Sequence, residues 1–120
     1  MSIERNNDYL TFLTDLKLKI QSAKISVSKS VNKELILLYW NIGKEIKERQ
    51  EKQGWGKSIV EILSRDLQRE FENKDGFSAR NLWDMRRFYD EYKDDSILRQ
   101  IVAEIPWGHN LLILNKKRNV

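Results

Sequence analysis

The chain has 120 residues, of which 40% are hydrophobic and 33% charged, and its net charge is +4. This length suits one domain with its own core, and the absence of cysteine excludes disulfides and thiolate metal sites. One proline and five glycines are too few for a β-sandwich or barrel, which needs many turns. We therefore expect a mainly α-helical protein, with a single domain over residues 7–115 and a basic tail over 116–120.

The positive charge is concentrated at the two ends of the chain. Residues 1–53 carry ten basic and seven acidic groups and residues 96–120 carry four and one, so each end has a net charge of +3. Residues 54–95 carry eight and ten, a net charge of −2. No signal peptide or 18-residue apolar run is present. We expect a cytoplasmic protein without membrane contact.

Residues 7–52 carry one apolar stripe at helical spacing. Its members follow one another at intervals of three or four: Leu13, Leu16, Ile20, Ala23, Val27, Val31, Leu35, Leu38, Ile42 and Ile46. One interpretation is a single helix of about 46 residues, roughly 69 Å long, whose stripe needs a partner. The other, which we favour, is an antiparallel hairpin broken near residues 26–32, with Asn32 as an N-cap.

Glycines at 54 and 56 indicate the end of the preceding helix. A third helix is predicted over residues 57–71. The inward residues of this helix are Ile59, Val60, Leu63, Leu67 and Phe71. Residues 73–76 form a predicted turn, after which Ser78 caps a fourth helix that ends near residues 93–95. Phe77 is placed to staple onto Leu82.

The fourth helix is amphipathic and allows two interpretations. Its apolar stripe consists of Leu82, Met85, Tyr89 and Tyr92, widened by Trp83 and Phe88. The opposite face is either a solvent face with Arg80–Asp84 and Arg87–Glu91 pairs, or the recognition helix of a helix-turn-helix reader of DNA. A recognition helix reads bases with its N-terminal residues, and arginine and asparagine recognise guanine and adenine.

The segment after the fourth helix is ambiguous. Residues 97–105 fit a short helix or a strand, so residues 97–114 form either helices or the wing of a winged helix-turn-helix core. Pro106 disfavours helix at Ile105. The basic residues Lys116, Lys117 and Arg118 either contact phosphate or lie in a solvated terminus.

Catalytic equipment is not evident in the sequence. Glu45 and Lys47 have the local spacing of a PD-(D/E)xK nuclease motif, but they lie on a strongly periodic helix and are better explained as a solvated face. The single histidine, His109, is expected to hydrogen-bond the loop around Pro106. The four tryptophans are scattered over different elements and are expected in packing. We predict no enzymatic activity, no cofactor and no metal site.

Several ordered motifs resemble the N-terminal domain of the bacterial YhcG family. They are Leu38-Tyr39-Trp40-Asn41-Ile42-Gly43, Gly54-Trp55-Gly56, Asp66-Leu67, Gly76-Phe77-Ser78 with Arg80-Asn81-Leu82, Met85-Arg86, Phe88-Tyr89, and Ile105-Pro106-Trp107-Gly108-His109-Asn110. The resemblance implies a helical domain, of winged helix-turn-helix type, that precedes a PD-(D/E)xK nuclease domain in longer members. This chain ends where that domain would follow, so nuclease activity is not expected of it.

The sequence therefore predicts a DNA-binding module of helix-turn-helix type, which in longer relatives would deliver a nuclease domain to double-stranded DNA. The predicted DNA contacts are Ser78, Arg80, Asn81, Arg86, Arg87, Lys116, Lys117 and Arg118. We also expect a homodimer through residues 7–52. The alternative is a helical dimerisation or protein-interaction module without direct DNA contact.

Overall fold

The computed structural model describes residues 7–25, 31–71 and 76–118. Within these ranges the chain forms six helices and no strand, which confirms the mainly α prediction. The helices are α1 (Asn7–Ile25), α2 (Val31–Gln53), α3 (Ser58–Glu70), α4 (Ala79–Tyr92), α5 (Ser96–Val102) and α6 (Trp107–Arg118).

The amino-terminal stripe folds as a hairpin and not as one long helix. Lys19 of α1 forms an ion pair with Glu45 of α2 at 3.3 Å, and Arg49 of α2 lies over the Phe12 ring of α1 at 5.5 Å. From the first of these contacts to the second, the residue number falls in α1 and rises in α2, so the two helices are antiparallel. The predicted break falls partly on residues 26–30, outside the described residues, and α2 has already begun when the chain reaches Asn32.

The stripe is buried within a single chain. Its buried members are Leu13, Leu16, Ile20, Leu38, Ile42 and Ile46. They join one core cluster with the inward residues predicted for α3, namely Ile59, Val60, Leu63, Leu67 and Phe71. Helix α2 ends before Gly54, whose φ of 66° is the left-handed conformation that favours glycine after a helix. The next residue, Trp55, is buried against Tyr9 and Phe12.

Helices α2 and α4 cross in backbone contact at Gly43. A Cβ atom at this position would overlap the carbonyl group of Met85 and would lie 2.9 Å from the backbone nitrogen of Arg86. Because only glycine allows two backbones to approach this closely, the side-chain hydrogen at Gly43 sets the depth at which α4 packs. This crossing therefore also fixes which residues of α4 face each of its two sides.

Helix α4 begins as predicted, with the hydroxyl of Ser78 accepting a hydrogen bond from the backbone nitrogen of Asn81 at 3.1 Å. Its buried residues are Leu82, Met85, Phe88 and Tyr92. The connection from α3 to α4 runs over residues 71–78, longer than the three- or four-residue turn of a helix-turn-helix. The helix-turn-helix part of the prediction is therefore not confirmed.

Residues 96–118 form the helices α5 and α6, so the predicted alternative of a wing is not what this segment adopts. The buried side chain of Asn110 ties the two helices together by donating to the carbonyl oxygens of Val102 at 3.1 Å and Ile105 at 2.9 Å. This is the role that the sequence assigned to His109, which instead lies exposed. Within the described ranges, no helix has both the length and the apolar character to cross a membrane.

Candidate nucleic-acid interface

A groove separates α4 from α6, which run side by side in the same direction. At one end, the indole nitrogen of Trp107 donates to the amide oxygen of Asn81 at 2.8 Å. Further along both helices, the guanidinium of Arg87 donates to the amide oxygen of Asn115 at 3.0 Å. The space between the helices has a volume of about 720 Å³. We name it the α4–α6 groove, and its lining residues are Ser78, Arg80, Asn81, Trp83, Asp84, Arg86, Arg87, Asp90, Leu111 and Asn115.

The three arginines of the groove have different partners. Arg80 is exposed, and its side chain forms no ion pair with the residues that the structure describes. Arg86 donates to the amide oxygen of Gln50 at 2.6 Å and lies over the Trp83 ring at 5.7 Å. Because Gln50 and Trp83 are both neutral, the positive charge of Arg86 is not offset by either contact.

Arg87 is held in place by two neighbours. It forms an ion pair with Asp84 at 3.2 Å, with 29% of its side chain exposed, in addition to its bond with Asn115. A charge so close to a carboxylate contributes less to the surrounding potential than the charge of Arg80. Arg87 thus pairs with Asp84, one helical turn before it, whereas the solvent-face interpretation paired it with Glu91, one turn after it.

The second acid of the groove is balanced by lysines from two helices. Lys47 of α2 contacts the carboxylate of Asp90 at 2.9 Å, and Lys93 contacts it at 3.2 Å. The hydrogen bond from Lys47 is the main cause that lowers the pKa of Asp90, because it stabilises the charged carboxylate. Asp90 is therefore ionised at neutral pH but does not leave an uncompensated negative charge in the groove.

Two of the predicted contact residues have structural roles. The hydroxyl of Ser78 is the cap of α4. The amide of Asn81 is used at both ends, since its nitrogen donates to the carbonyl oxygen of Gly76 at 2.7 Å and its oxygen accepts from Trp107. Reading adenine requires both the donor and the acceptor of an amide, and in Asn81 each of them already has a partner within the protein.

The basic end of α6 lies next to the arginine face of α4. Lys116 is exposed and directly follows Asn115, which contacts Arg87. The backbones of Lys117 and Arg118 continue α6, while their side chains lie outside the described residues. The fold thus brings Arg87 of α4 into contact with Asn115 of α6, 28 positions later in the sequence, and the exposed Lys116 follows directly on α6.

The lining residues that α6 supplies, Leu111 and Asn115, were not among the predicted contacts, and neither was Trp107, which bonds to Asn81 at one end of the groove. They come from α6, which the sequence could not orient relative to α4. The sequence singles out Trp107, because this residue stands in the motif that carries the family resemblance. It does not single out Asn115, whose neighbours form no distinguishing pattern. The α6 wall of the groove is therefore a finding of the structure.

The fold places the residues of the nuclease-like motif in ion pairs and not in a catalytic arrangement. Glu45 pairs with Lys19 and Arg49, and Lys47 pairs with Asp90, so the nuclease-like spacing lies in surface ion pairs of α2. The described residues contain no group of three or more potential acidic, histidine or cysteine ligands for a metal ion. Trp40 and Trp55 are buried, and Trp83 and Trp107 pack against the core, which confirms the packing interpretation of the tryptophans.

Comparison with known proteins identifies the domain. Neither the curated proteins nor the solved structures include a match to this chain. The DUF1016 N-terminal domain matches residues 15–120, which is most of the chain and contains all six helices except the start of α1. This match confirms the resemblance to the YhcG N-terminal domain, and the chain belongs to the DUF1016 N-terminal domain family.

Proposed function

We propose that this domain binds double-stranded DNA through the α4–α6 groove. The observation that carries the proposal is the unequal balance of charge there. Asp84 and Asp90 are both paired with cations of the protein. Arg80 is exposed and has no ion pair among the described residues, and Arg86 contacts the neutral Gln50 and Trp83. The groove therefore keeps a net positive charge although residues 54–95 as a whole are net negative.

The chemistry of the groove suits phosphate. Arginine offers several N–H donors in a fixed planar fork that matches phosphate oxygens. Neutralising phosphates releases condensed counterions from DNA, which favours binding most strongly at low salt. Lys116 extends this cationic surface beyond the Arg87–Asn115 contact. In longer relatives, binding of this kind would bring an attached nuclease domain to its substrate.

The proposal is tested by the fluorescence anisotropy of a labelled duplex of about 20 base pairs at about 50 mM salt. We expect binding, and we expect Arg80→Ala to weaken it by roughly fivefold, which corresponds to about 1 kcal/mol for one charge-assisted contact. The matched control is Arg65→Ala, because Arg65 is also exposed but lies on α3 outside the groove. Absence of binding, or equal loss in both variants, would contradict the proposal.

The alternative function, dimerisation or protein interaction without DNA contact, retains one supporting observation. The stripe that motivated a homodimer through residues 7–52 is buried in one chain, so such a dimer would have to use the outer surface of the hairpin. Leu10 and Leu18 of α1 are 42% and 58% exposed there. Sedimentation of the native chain and of Leu18→Lys tests it: a dimer that dissociates in the variant supports the alternative.

A further inference from the structure

We propose that the α4–α6 groove holds the sugar–phosphate backbone of duplex DNA and does not read its base sequence. The inference rests on the proposed function, because it specifies which part of DNA the same groove contacts. Its basis is the position of α6, which covers one flank of the helix that the sequence presented as a base reader. Three features of the groove support it: its width, the partners of its polar side chains and the placement of its free cations.

The width of the paired helices prevents α4 from entering the major groove alone. An α-helix with its side chains is about 10–12 Å across, and the major groove of B-DNA is about 12 Å wide. One helix therefore fits and two adjacent helices do not. Trp107 is bonded to Asn81 at the first turn of α4, and Asn115 is bonded to Arg87 two turns later. Residues of α6 are therefore bonded to α4 near both ends of the stretch that would have to be inserted.

Two of the polar side chains that could read bases, Asn81 and Arg87, are already bonded inside the protein. The amide of Asn81 is engaged at its nitrogen by Gly76 and at its oxygen by Trp107. The guanidinium of Arg87 is fixed by Asp84 and Asn115, so it cannot extend to pair with both acceptors of a guanine. Contacts with phosphate are less demanding, because an N–H that remains free on a fixed guanidinium can still donate to a phosphate oxygen.

The remaining cations are spaced for a row of phosphates. Arg80 and Arg86 are six residues apart on α4, about 9 Å along the helix axis. Over that length one strand of the duplex presents about three phosphates, at 3.4 Å each along its axis. Lys116 is exposed and follows Asn115 on α6, next to the contact of Asn115 with Arg87. A line of positive charge therefore runs along the groove and matches the backbone of one strand.

The number of cations gives a quantitative expectation. If Arg80, Arg86 and Lys116 each neutralise one phosphate, the logarithm of the association constant should fall against the logarithm of salt concentration with a slope of about −2.7. Arg80→Ala should bring the slope to about −1.8, because each phosphate contact contributes about 0.9. Arg65→Ala should leave the slope at the value of the native chain.

The decisive experiment combines this salt titration with selection from duplexes that carry a randomised central sequence. We expect binding of the starting pool, no enrichment of any sequence over successive rounds, and the slopes given above. Enrichment of a defined site, bound at least tenfold more tightly than the pool, would overturn this inference while leaving DNA binding by the groove intact. Failure of the pool to bind even at low salt would instead overturn the proposed function itself.

Discussion

Two grooves flank α4, and adjacent residues of that helix face them. Arg87 lines the α4–α6 groove, while Phe88 lines a second groove of about 540 Å³ between α2 and α5. We name the second one the α2–α5 groove, and its lining residues are Lys33, Ile36, Leu37, Trp40, Phe88, Ser96, Arg99, Gln100, Ala103 and Glu104. Its floor consists of the buried side chains of Ile36, Trp40 and Phe88.

Both grooves contain cations, but these cations have different partners. In the α2–α5 groove, Arg99 lies over the Trp40 ring at 4.6 Å, and Lys33 pairs with Glu104 at 3.6 Å. In the α4–α6 groove, Arg80 has no ion pair among the described residues. A count of basic residues therefore does not locate an anion-binding surface. What matters is whether each cation is already engaged by the protein.

The largest effect on both grooves is expected from a substitution at the crossing of α2 and α4, which orients α4. Gly43→Ala places a methyl group against the carbonyl of Met85, and backbone atoms cannot rotate away as a side chain would. We expect the free energy of unfolding to fall by about 3 kcal/mol or more, measured by urea denaturation. Because α4 would have to shift or turn, both grooves should change shape together.

Gly108→Ala is the matched control for this substitution. Gly108 also lies within a helix, α6, but no atom outside its own helical backbone and chain neighbours lies within 4 Å of a Cβ built there. Alanine is the better helix former, so this variant should be more stable than the native chain by about 0.5–1 kcal/mol. Equal destabilisation by the two substitutions would show that Gly43 does not mark a close crossing.

A smaller effect is expected from the bond that joins the first turn of α4 to α6. Asn81→Ala removes the acceptor of the Trp107 indole and the donor to Gly76. Leaving two partly buried groups without partners should lower the free energy of unfolding by about 1–3 kcal/mol. Asn115→Ala, in which the lost bond is exposed, should cost about 0.5 kcal/mol. Equal costs would show that the Asn81–Trp107 bond does not stabilise the groove more than the Arg87–Asn115 bond does.

The smallest effect is expected in the α2–α5 groove. Arg99→Ala removes a guanidinium that stacks on Trp40, and a cation–π contact at an exposed site is worth about 0.5–1 kcal/mol. The same variant should leave DNA affinity unchanged within twofold, although it removes one positive charge as Arg80→Ala does. A loss of affinity equal to that of Arg80→Ala would mean that overall charge, and not the α4–α6 groove, governs binding.

The sequence predicted the helices well because their signals are local. Apolar spacing placed the third helix over residues 57–71, within one residue of the observed limits. The Ser78 cap placed the start of the fourth helix within one residue, and its predicted end near residues 93–95 lies one to three residues beyond Tyr92. The break between α1 and α2 was favoured because serine, valine and asparagine are poor helix formers. These features depend on neighbours within a few positions along the chain.

The groove could not be predicted because its contacts join distant residues. Asn81 and Trp107 are 26 positions apart, and Arg87 and Asn115 are 28 apart. No periodicity links such pairs, so Asn81 was assigned to base reading although the fold uses its amide internally. Gly43 illustrates the same limit, since a single glycine in a helical pattern does not reveal which helix will cross it.

If the proposed function is right, DNA occupies the α4–α6 groove and leaves the α2–α5 groove empty. Titration of the isotopically labelled chain with a duplex, followed through the backbone amide signals in heteronuclear NMR spectra, tests this most directly. We predict that the signals shifted by DNA come from residues 78–87 and 111–116, while those of residues 33–40 and 96–103 stay in place. Shifts confined to the second pair of segments would contradict the account.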